Sequence, residues 1–249
     1  MSSTQTATDG LRRILTHYCN SYLTKCPDIE RLKNLLSKVS NDQKNKLLSS
    51  TRDSNGDTVL TRAAYNGHLE LCVTLLSSLP PADRLKLILE DKFTALHLAA
   101  WLGYTETVSG ILSCLTADQR LQLLFIQDSD GGTALHKALP VRDTETVMAL
   151  LDNLTPEQQL QLLFTQDSNG DTALHEAALR GRTETVKTLL VDLIPERQLQ
   201  LLSLQNNVVK TASQESAGFD QNSNTVTILK QYQTEADHGV NYCEIAKFT

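Results

Sequence analysis

The stretch QDSNGDTALHEAA, which runs from Gln166 to Ala178, decides the fold. Its first half places oxygen-bearing side chains at every second residue, as a calcium-binding loop does. Its second half contains the His-Glu pair with which a zinc-protease motif begins. The stretch recurs elsewhere in the chain, and internal repeats determine an architecture before any single motif can be interpreted.

Three further copies precede it: RDSNGDTVLTRAA from Arg52, EDKFTALHLAA from Glu90 and QDSDGGTALHKAL from Gln127. The four copies are anchored by threonines that lie 36, 39 and 39 residues apart, namely Thr58, Thr94, Thr133 and Thr172. A period of this kind indicates a protein whose repeats stack on one another and bury a shared core.

Two more helical patterns follow each copy. The run ETVKTLL from Glu184 has the apolar spacing of one helix face, and equivalent runs follow the other copies. A third segment, such as LTPEQQLQLLF, then begins with a capping box at Thr155 and Gln158, and Pro156 holds the first helical position. Each repeat is therefore predicted to contain a helix, a turn, a second helix, a short third helix and a polar turn.

The repeat register divides the chain into eight predicted segments. They are an N-terminal capping helix in 1–27, a partial repeat in 28–52, full repeats in 53–90, 91–129, 130–168 and 169–207, a degenerate repeat in 208–231 and a polar tail in 232–249. Degenerate ends are expected, because each terminal repeat must tolerate water on one face.

The pattern D-x-x-G-x-T-A-L-H-x-A-A-x-x-G-x-x-E-x-V-x-x-L-L resembles the ankyrin repeat, and Thr94–Leu112 and Thr172–Leu190 match it best. The resemblance implies an all-α solenoid of helix-turn-helix units joined by β-hairpin-like loops. The usual ankyrin repeat has about 33 residues. The longer period here predicts an extra short helix in each repeat.

Two places depart from the pattern. The junction before Thr94 is three residues shorter than the others, so Glu90–Phe93 is expected to form a different turn. Arg142 stands where the other full repeats have the glycine that ends the first helix, and Pro140 precedes it. Because a left-handed helix terminus favours glycine, the first helix of this repeat is expected to end early.

The calcium interpretation fails on spacing. A calcium loop that starts at Asp167 needs glycine at its sixth position and a glutamate at its twelfth. The chain has Thr172 and Ala178 there. An Asn-Gly turn followed by a threonine that caps a helix explains the same residues.

The zinc interpretation fails as well, since the second histidine of H-E-x-x-H is replaced by Leu179. His97, His136 and His175 recur once per repeat. Stacked helices lie about 8–10 Å apart, which is too far for a shared ion at zinc–nitrogen distances of about 2 Å. Each imidazole is expected to bond to its own threonine hydroxyl and to hairpin backbone, as the ankyrin resemblance also implies.

No residue pattern predicts an enzyme. The chain has no nucleophile motif, phosphate-binding loop or dinucleotide fingerprint, so no catalytic, metal or cofactor-binding residue is expected. Cys72 aligns with valines of the other repeats and is expected in the core, whereas Cys114 aligns with polar residues and is expected to be exposed.

Positions that vary between otherwise similar repeats are expected to be solvated. By the resemblance, these positions face a concave groove from the first helices and hairpin tips. The predicted partner contacts are Arg62, Tyr65, Asn66, Lys92, Leu98, Trp101, Leu102, Lys137, Asp171, Glu176 and Arg180. Trp101 is the only tryptophan, and with Tyr65, Leu98 and Leu102 it predicts an apolar centre; partial burial between repeats is the alternative.

The predicted function is a non-enzymatic, monomeric scaffold that binds a protein or peptide. The net charge of −6 argues against nucleic acid, and no apolar run is long enough for membrane insertion. An N-terminus without a signal-peptide core and five cysteines without a C-x-x-C pair favour the cytoplasm. Two alternatives remain: a host-directed ankyrin protein of an intracellular bacterium or symbiont, delivered into the host cell, and an ankyrin segment of a larger enzyme or channel.

Overall fold

The computed structural model describes residues 3–20, 26–139, 144–208, 210–217 and 224–245. The chain divides into two compact units, Met1–Ser129 and Asp130–Thr249, which are described separately. Over the described residues, the regular elements are helices, and β-pairing is limited to two isolated bridges. The predicted all-α class is confirmed.

In its described part, the first unit contains α1 (Ser3–Asn20), α2 (Ile29–Ser37), α3 (Asn41–Ser50), α4 (Val59–Tyr65), α5 (Leu69–Ser77), α6 (Pro81–Ile88), α7 (Ala95–Leu102), α8 (Thr105–Ser113) and α9 (Ala117–Leu124). Equivalent helices of neighbouring repeats pack together: α4 on α7, α2 on α5, α5 on α8 and α3 on α6. The capping helix α1 packs on α2 and α4. First, second and third helices thus form three rows.

The described part of the second unit contains α10 (Ala134–Ala138), α11 (Glu145–Leu151), α12 (Pro156–Phe164), α13 (Ala173–Leu179), α14 (Thr183–Leu190), α15 (Pro195–Ser203), α16 (Ala212–Ala217) and α17 (Asn224–Ile245). First helices pack together as α10 on α13 and α13 on α16. The long last helix, α17, packs on both α14 and α15.

The first helices begin at threonines, and in three of the four full repeats a glycine with a left-handed backbone follows the helix. The side chain of Thr94 accepts a hydrogen bond from the backbone N–H of His97 at 3.5 Å. A cap of this kind stabilises a helix by about 1 kcal/mol. At the other end of α7, Gly103 adopts φ 72°, a left-handed conformation that disfavours other residues.

The loops before two first helices are tight turns. Asp53 Oδ1 accepts hydrogen bonds from the backbone N–H groups of Asn55 and Asp57 at 2.8 and 3.0 Å. Asp167 binds its own turn in the same way, and antiparallel bridges Arg52↔Thr58 and Gln166↔Thr172 close the two loops. The aspartates that suggest a calcium loop therefore organise their own backbone.

The predicted third helix is present in every full repeat. Capping boxes form at Thr116 with Gln119 and at Thr155 with Gln158, and Pro156 occupies the first turn of α12. The leucine pairs of these helices are buried: Leu123 and Leu124, Leu162 and Leu163, Leu201 and Leu202. Burial of each leucine contributes about 1.5–3 kcal/mol, which explains why the added segment folds onto its repeat.

Two ends of helices bear on the predicted boundaries. α10 has five residues and ends at Ala138, whereas Pro140 and Arg142, to which the early end was attributed, lie outside the described residues. α17 continues through the predicted start of a polar tail at residue 232 and ends at Ile245. Leu229 and Ala236 are both buried and lie seven residues apart on one helix face, so packing extends past that boundary.

Candidate functional site

The exposed side of α4 and α7 is called the first-helix face of the first unit. Tyr65, the last residue of α4, and Trp101, near the end of α7, are each 46% exposed. Because α4 packs directly on α7, the two aromatic side chains occupy matching positions on neighbouring helices. Tyr65 and Trp101 are therefore partly buried between repeats and partly exposed. The exposed part is what an apolar centre requires, and the buried part is what the alternative of burial between repeats requires.

The two leucines of the predicted centre differ in exposure. Leu98 is only 8% exposed and therefore lies beneath the face rather than on it. Leu102, the last residue of α7, is half-buried. The accessible apolar surface is accordingly the aromatic pair, with Leu102 beside it.

Arg62 fixes one side of the aromatic pair. Its guanidinium carbon lies 5.8 Å from the centroid of the Tyr65 ring, a cation–π geometry. Its Nη1 lies 3.6 Å from Oδ2 of Asp53, whose side chain is 2% exposed. Only 21% of the Arg62 side chain is exposed, so most of this residue serves to position Tyr65 and the Asp53 turn.

Asn66 is tied to the capping helix. Its Nδ2 donates a hydrogen bond to Tyr18 Oη at 3.2 Å, and the same hydroxyl lies 2.7 Å from His68 Nδ1. Burial raises the pKa of Tyr18 to about 12, so the hydroxyl stays protonated at neutral pH. Asn66 thus links α4 to α1.

Tyr104 also belongs to this edge of the unit, although it is not among the contacts predicted from the sequence. The residue is 37% exposed and follows Gly103. Its ring covers Gly67, where an added Cβ would lie 3.1 Å from the ring atoms. The sequence could have indicated this residue, because its position varies between repeats: the equivalent positions hold His68 and Arg182.

In the short junction before α7, Asp91 binds residues of the preceding repeat. Asp91 Oδ2 accepts hydrogen bonds from Thr58 N at 3.0 Å and from Thr61 Oγ1 at 2.6 Å, and its Oδ1 lies 2.6 Å from Arg52 Nη1. Burial acts to raise the pKa of Asp91, but the bonds from Thr61, Thr58 and Arg52 outweigh it and lower the pKa. Lys92, the next residue, is exposed and is the predicted contact at this tip.

The predicted contacts of the second unit are polar and already paired. Arg180 Nη2 lies 2.8 Å from Glu176 Oε1, and Lys137 Nζ lies 3.4 Å from Asp130 Oδ2. Asp171 Oδ1 accepts a hydrogen bond from Asn206 at 2.8 Å. Burial raises the pKa of Asp171. Among the described residues of α10 and α13 no large hydrophobic side chain is exposed, so the aromatic pair distinguishes the first unit.

A family model of ankyrin repeats, built of three copies, matches the chain over residues 21–122 and 116–198. Together these matches cover well over half of the 249 residues. The chain belongs to the ankyrin-repeat family. A comparison with curated proteins finds no match.

The recurring histidines of this ankyrin protein connect successive repeats. His136 Nδ1 lies 2.9 Å from Thr133 Oγ1, and its Nε2 lies 3.1 Å from the carbonyl oxygen of Asp171. His175 bridges Thr172 and the carbonyl of Lys210 at 2.8 and 3.1 Å. The expected local bonding of the imidazoles is confirmed. Across the described ranges, no three metal-binding side chains cluster.

Three cysteines of this ankyrin protein, Cys19, Cys72 and Cys114, are buried thiols. Burial raises the pKa of Cys19 to about 11 and raises that of Cys72 as well, so neither is a thiolate at neutral pH. Cys72 is in the core as predicted. The prediction that Cys114 is exposed is wrong: it is 8% exposed, because it caps α8 with its Sγ 3.8 Å from Ser77 Oγ of α5.

No helix in the described parts of this ankyrin protein combines the length and the apolar character that a membrane span requires.

Proposed function

We propose that this ankyrin protein is a non-enzymatic binding module that recognises a protein or peptide through the first-helix face of its first unit. The observation that carries the proposal is the pair Tyr65 and Trp101, both 46% exposed on adjacent helices. Tryptophan and tyrosine are enriched among the few residues that dominate binding free energy at interfaces. Helices that pack on each other hold the pair in place, which lowers the entropic cost of binding.

The surroundings support a peptide-sized contact. Arg62 orients Tyr65 from one side, and Leu102 extends the apolar surface of Trp101. Lys92 offers an exposed ammonium at the neighbouring tip, and Asn66 lies at the other end of α4. An aromatic centre with polar groups at its rim is the usual anatomy of a protein interface.

The second unit is proposed to contribute less binding free energy. Lys137, Asp171, Glu176 and Arg180 each have a partner within the unit, and exposed ion pairs contribute about 0–1 kcal/mol. These residues are proposed to add selectivity for charge around the aromatic centre. We propose that the protein is a monomer in the cytoplasm, and the free cysteines among the described residues support a reducing compartment.

The absence of catalysis is part of the proposal. Buried, protonated thiols at Cys19 and Cys72 and histidines that bridge repeats support a structural role for the groups that most often act in enzymes.

A peptide-display selection against the purified full-length chain tests the proposal. Selected peptides are expected to bind Trp101→Ala and Tyr65→Ala at least about 30-fold more weakly, since truncating a dominant aromatic costs about 2 kcal/mol or more. Met148→Ala is the matched control, because it removes a side chain 57% exposed on a second helix of the other unit. Equal affinities for all three folded variants and the parent would contradict the proposed site.

A further inference from the structure

A second concave site lies along the second helices of the first unit, and it is separate from the first-helix face. A cleft of about 1130 Å³ opens between α2, α5 and α8. Leu36, Leu69 and Val73 form its apolar walls. Clefts that bind small molecules have volumes of about 300–1,000 Å³ and mainly apolar walls with a few polar groups. The site therefore has the lining of a ligand cleft and a volume slightly above that range.

One wall of the cleft is formed by small residues of α8. Ser109, Gly110 and Ser113 line the cleft. The corresponding positions of α11 in the second unit carry larger side chains, namely Met148, Ala149 and Asp152. A different cleft of about 500 Å³ lies between α11, α12 and α14. The small side chains of α8 therefore leave space beside α5 that larger residues would fill.

Gly110 also sets how closely α5 and α8 approach. A Cβ at this position would overlap Leu69 Cδ1 and lie 3.2 Å from Val73 Cγ2. Glycine in a helix interior is unfavourable by about 1 kcal/mol relative to alanine. The glycine lets Leu69 lie flat against α8 as a wall of the cleft.

One end of the cleft carries an ammonium group without a carboxylate. Lys44 Nζ donates to the carbonyl oxygen of Ser78 at 3.0 Å and to Asn41 Oδ1 at 3.2 Å, and both acceptors are neutral. No ion pair with Lys44 forms within the described residues. Since an ammonium has three N–H donors, one remains for a ligand.

The other lysine of the cleft differs. Lys33 Nζ lies 2.9 Å from Glu30 Oε1 and 3.5 Å from Glu70 Oε1, so its charge is compensated. Glu70 stands at the start of α5 and Ser78 caps its end, which separates the acidic and the Lys44 ends by about 12 Å along the helix. The cleft is thus electrostatically polarised, with its unpaired cation at one end.

We propose that this cleft binds a medium-chain carboxylate. The carboxylate accepts a hydrogen bond from Lys44, and the alkyl chain lies against Leu36, Leu69 and Val73. Glu70 and Glu106 repel the headgroup from the opposite end, which fixes the orientation of the ligand. A neutral or cationic amphiphile would bury the same apolar surface but would leave the Lys44 charge uncompensated.

The test is an NMR titration of the full-length chain with decanoate, with decanamide and decylammonium as ligands of matched chain length. Decanoate is expected to shift the Gly110 amide and Val73 methyl signals saturably and to bind about tenfold or more tightly than decanamide, given the usual strength of hydrogen bonds to charged groups. Lys44→Met is expected to remove this preference. Lys33→Met, whose charge is already paired, is the matched control and is expected to change the decanoate affinity less than twofold.

A second variant tests the location of the site independently. Ser109→Met combined with Gly110→Ala introduces the side chains that α11 carries at these positions, and alanine favours the helix. The variant is expected to stay folded by circular dichroism and to lose decanoate binding. The proposal is overturned if decanoate does not saturate the shifts, if decanamide binds equally well, or if the filled variant binds as the parent does. Shifts at Gly110 with a helical peptide but not with decanoate would also overturn it, because the occupant would be a protein helix.

Discussion

At the scale of single residues, two departures from the repeat pattern compensate each other. Thr61 stands where the other full repeats have a histidine, and a histidine at this position binds backbone of the following loop. Thr61 is too short to do so. The junction before α7 is three residues shorter, and Asp91 in that junction accepts the Thr61 hydroxyl at 2.6 Å. A threonine–aspartate pair thereby replaces the histidine–carbonyl pair.

Asp91→Asn is expected to lower the free energy of unfolding by about 1–3 kcal/mol at pH 7, because charge-assisted bonds from Thr61 and Arg52 are lost. The lowered pKa of Asp91 means that its contribution is complete above the ordinary value of 3.8 and is lost as the pH falls through the lower, folded value. Urea denaturation at pH 7 and pH 3 measures this difference. Thr61→Val alone and combined with Asp91→Asn tests whether the two side chains are coupled. Strictly additive changes in the free energy of unfolding would refute the coupling.

His136 is expected to make the stability of the second unit depend on pH. Burial lowers its pKa from the ordinary value of 6.5, so the unfolded chain binds a proton that the folded chain does not. Stability is therefore complete above about pH 6.5 and falls as the pH decreases toward the folded pKa, by at most about 1.4 kcal/mol per pH unit. The stability difference between the parent and His136→Gln should be larger at pH 7.5 than at pH 5. A stability difference that stays constant between these pH values would show that His136 does not contribute to the pH dependence of stability.

Residue-level predictions from the sequence succeeded where repeats could be compared and failed where packing decided. The bonding of His136 and the core position of Cys72 followed from recurrence. Leu98 occupies a position that varies between repeats, which predicts exposure, yet it is 8% exposed because α4 and α7 pack closely. The prediction that Cys114 is exposed was wrong for the same reason. The polar residues at this position of the other repeats do not reveal that Ser77 of α5 packs against it.

At the scale of helices, local capping signals mark where the first helices and several of the third helices begin. Threonine caps and capping boxes appear in the sequence at the positions where the structure forms them. The end of α17 was not predictable in this way, because Ala236 is held by tertiary packing and no capping signal marks residue 231. Propensity and capping predict starts well, whereas long-range packing decides how far a terminal helix continues.

Two glycine substitutions should have opposite effects on stability. Gly103→Ala forces a left-handed conformation at φ 72° on alanine and is expected to destabilise by about 1–2 kcal/mol. Gly10→Ala lies within α1, where an added Cβ would make an ordinary 3.4 Å contact with Leu35, and is expected to stabilise by up to about 1 kcal/mol. Thermal denaturation of both variants measures the effects. The same sign for both would contradict the assignment of helix ends.

At the scale of the whole molecule, the ankyrin architecture was predictable because the repeat register is visible four times in the sequence. The two surfaces of the first unit were predictable to different degrees. The aromatic pair could be located by alignment of repeats, because Tyr65 and Trp101 share a position. The cleft between α2, α5 and α8 could not, since its volume depends on how α5 approaches Gly110.

The central claim is that a partner covers the first-helix face, and Trp101 can report on it directly because the chain has no other tryptophan. The measurement is tryptophan fluorescence of the full-length chain, with acrylamide quenching, during titration with a selected peptide that lacks tryptophan. The emission is expected to shift to the blue and the quenching to fall saturably, because the exposed half of the indole leaves water. Tight binding of the peptide with unchanged emission and quenching would contradict the account.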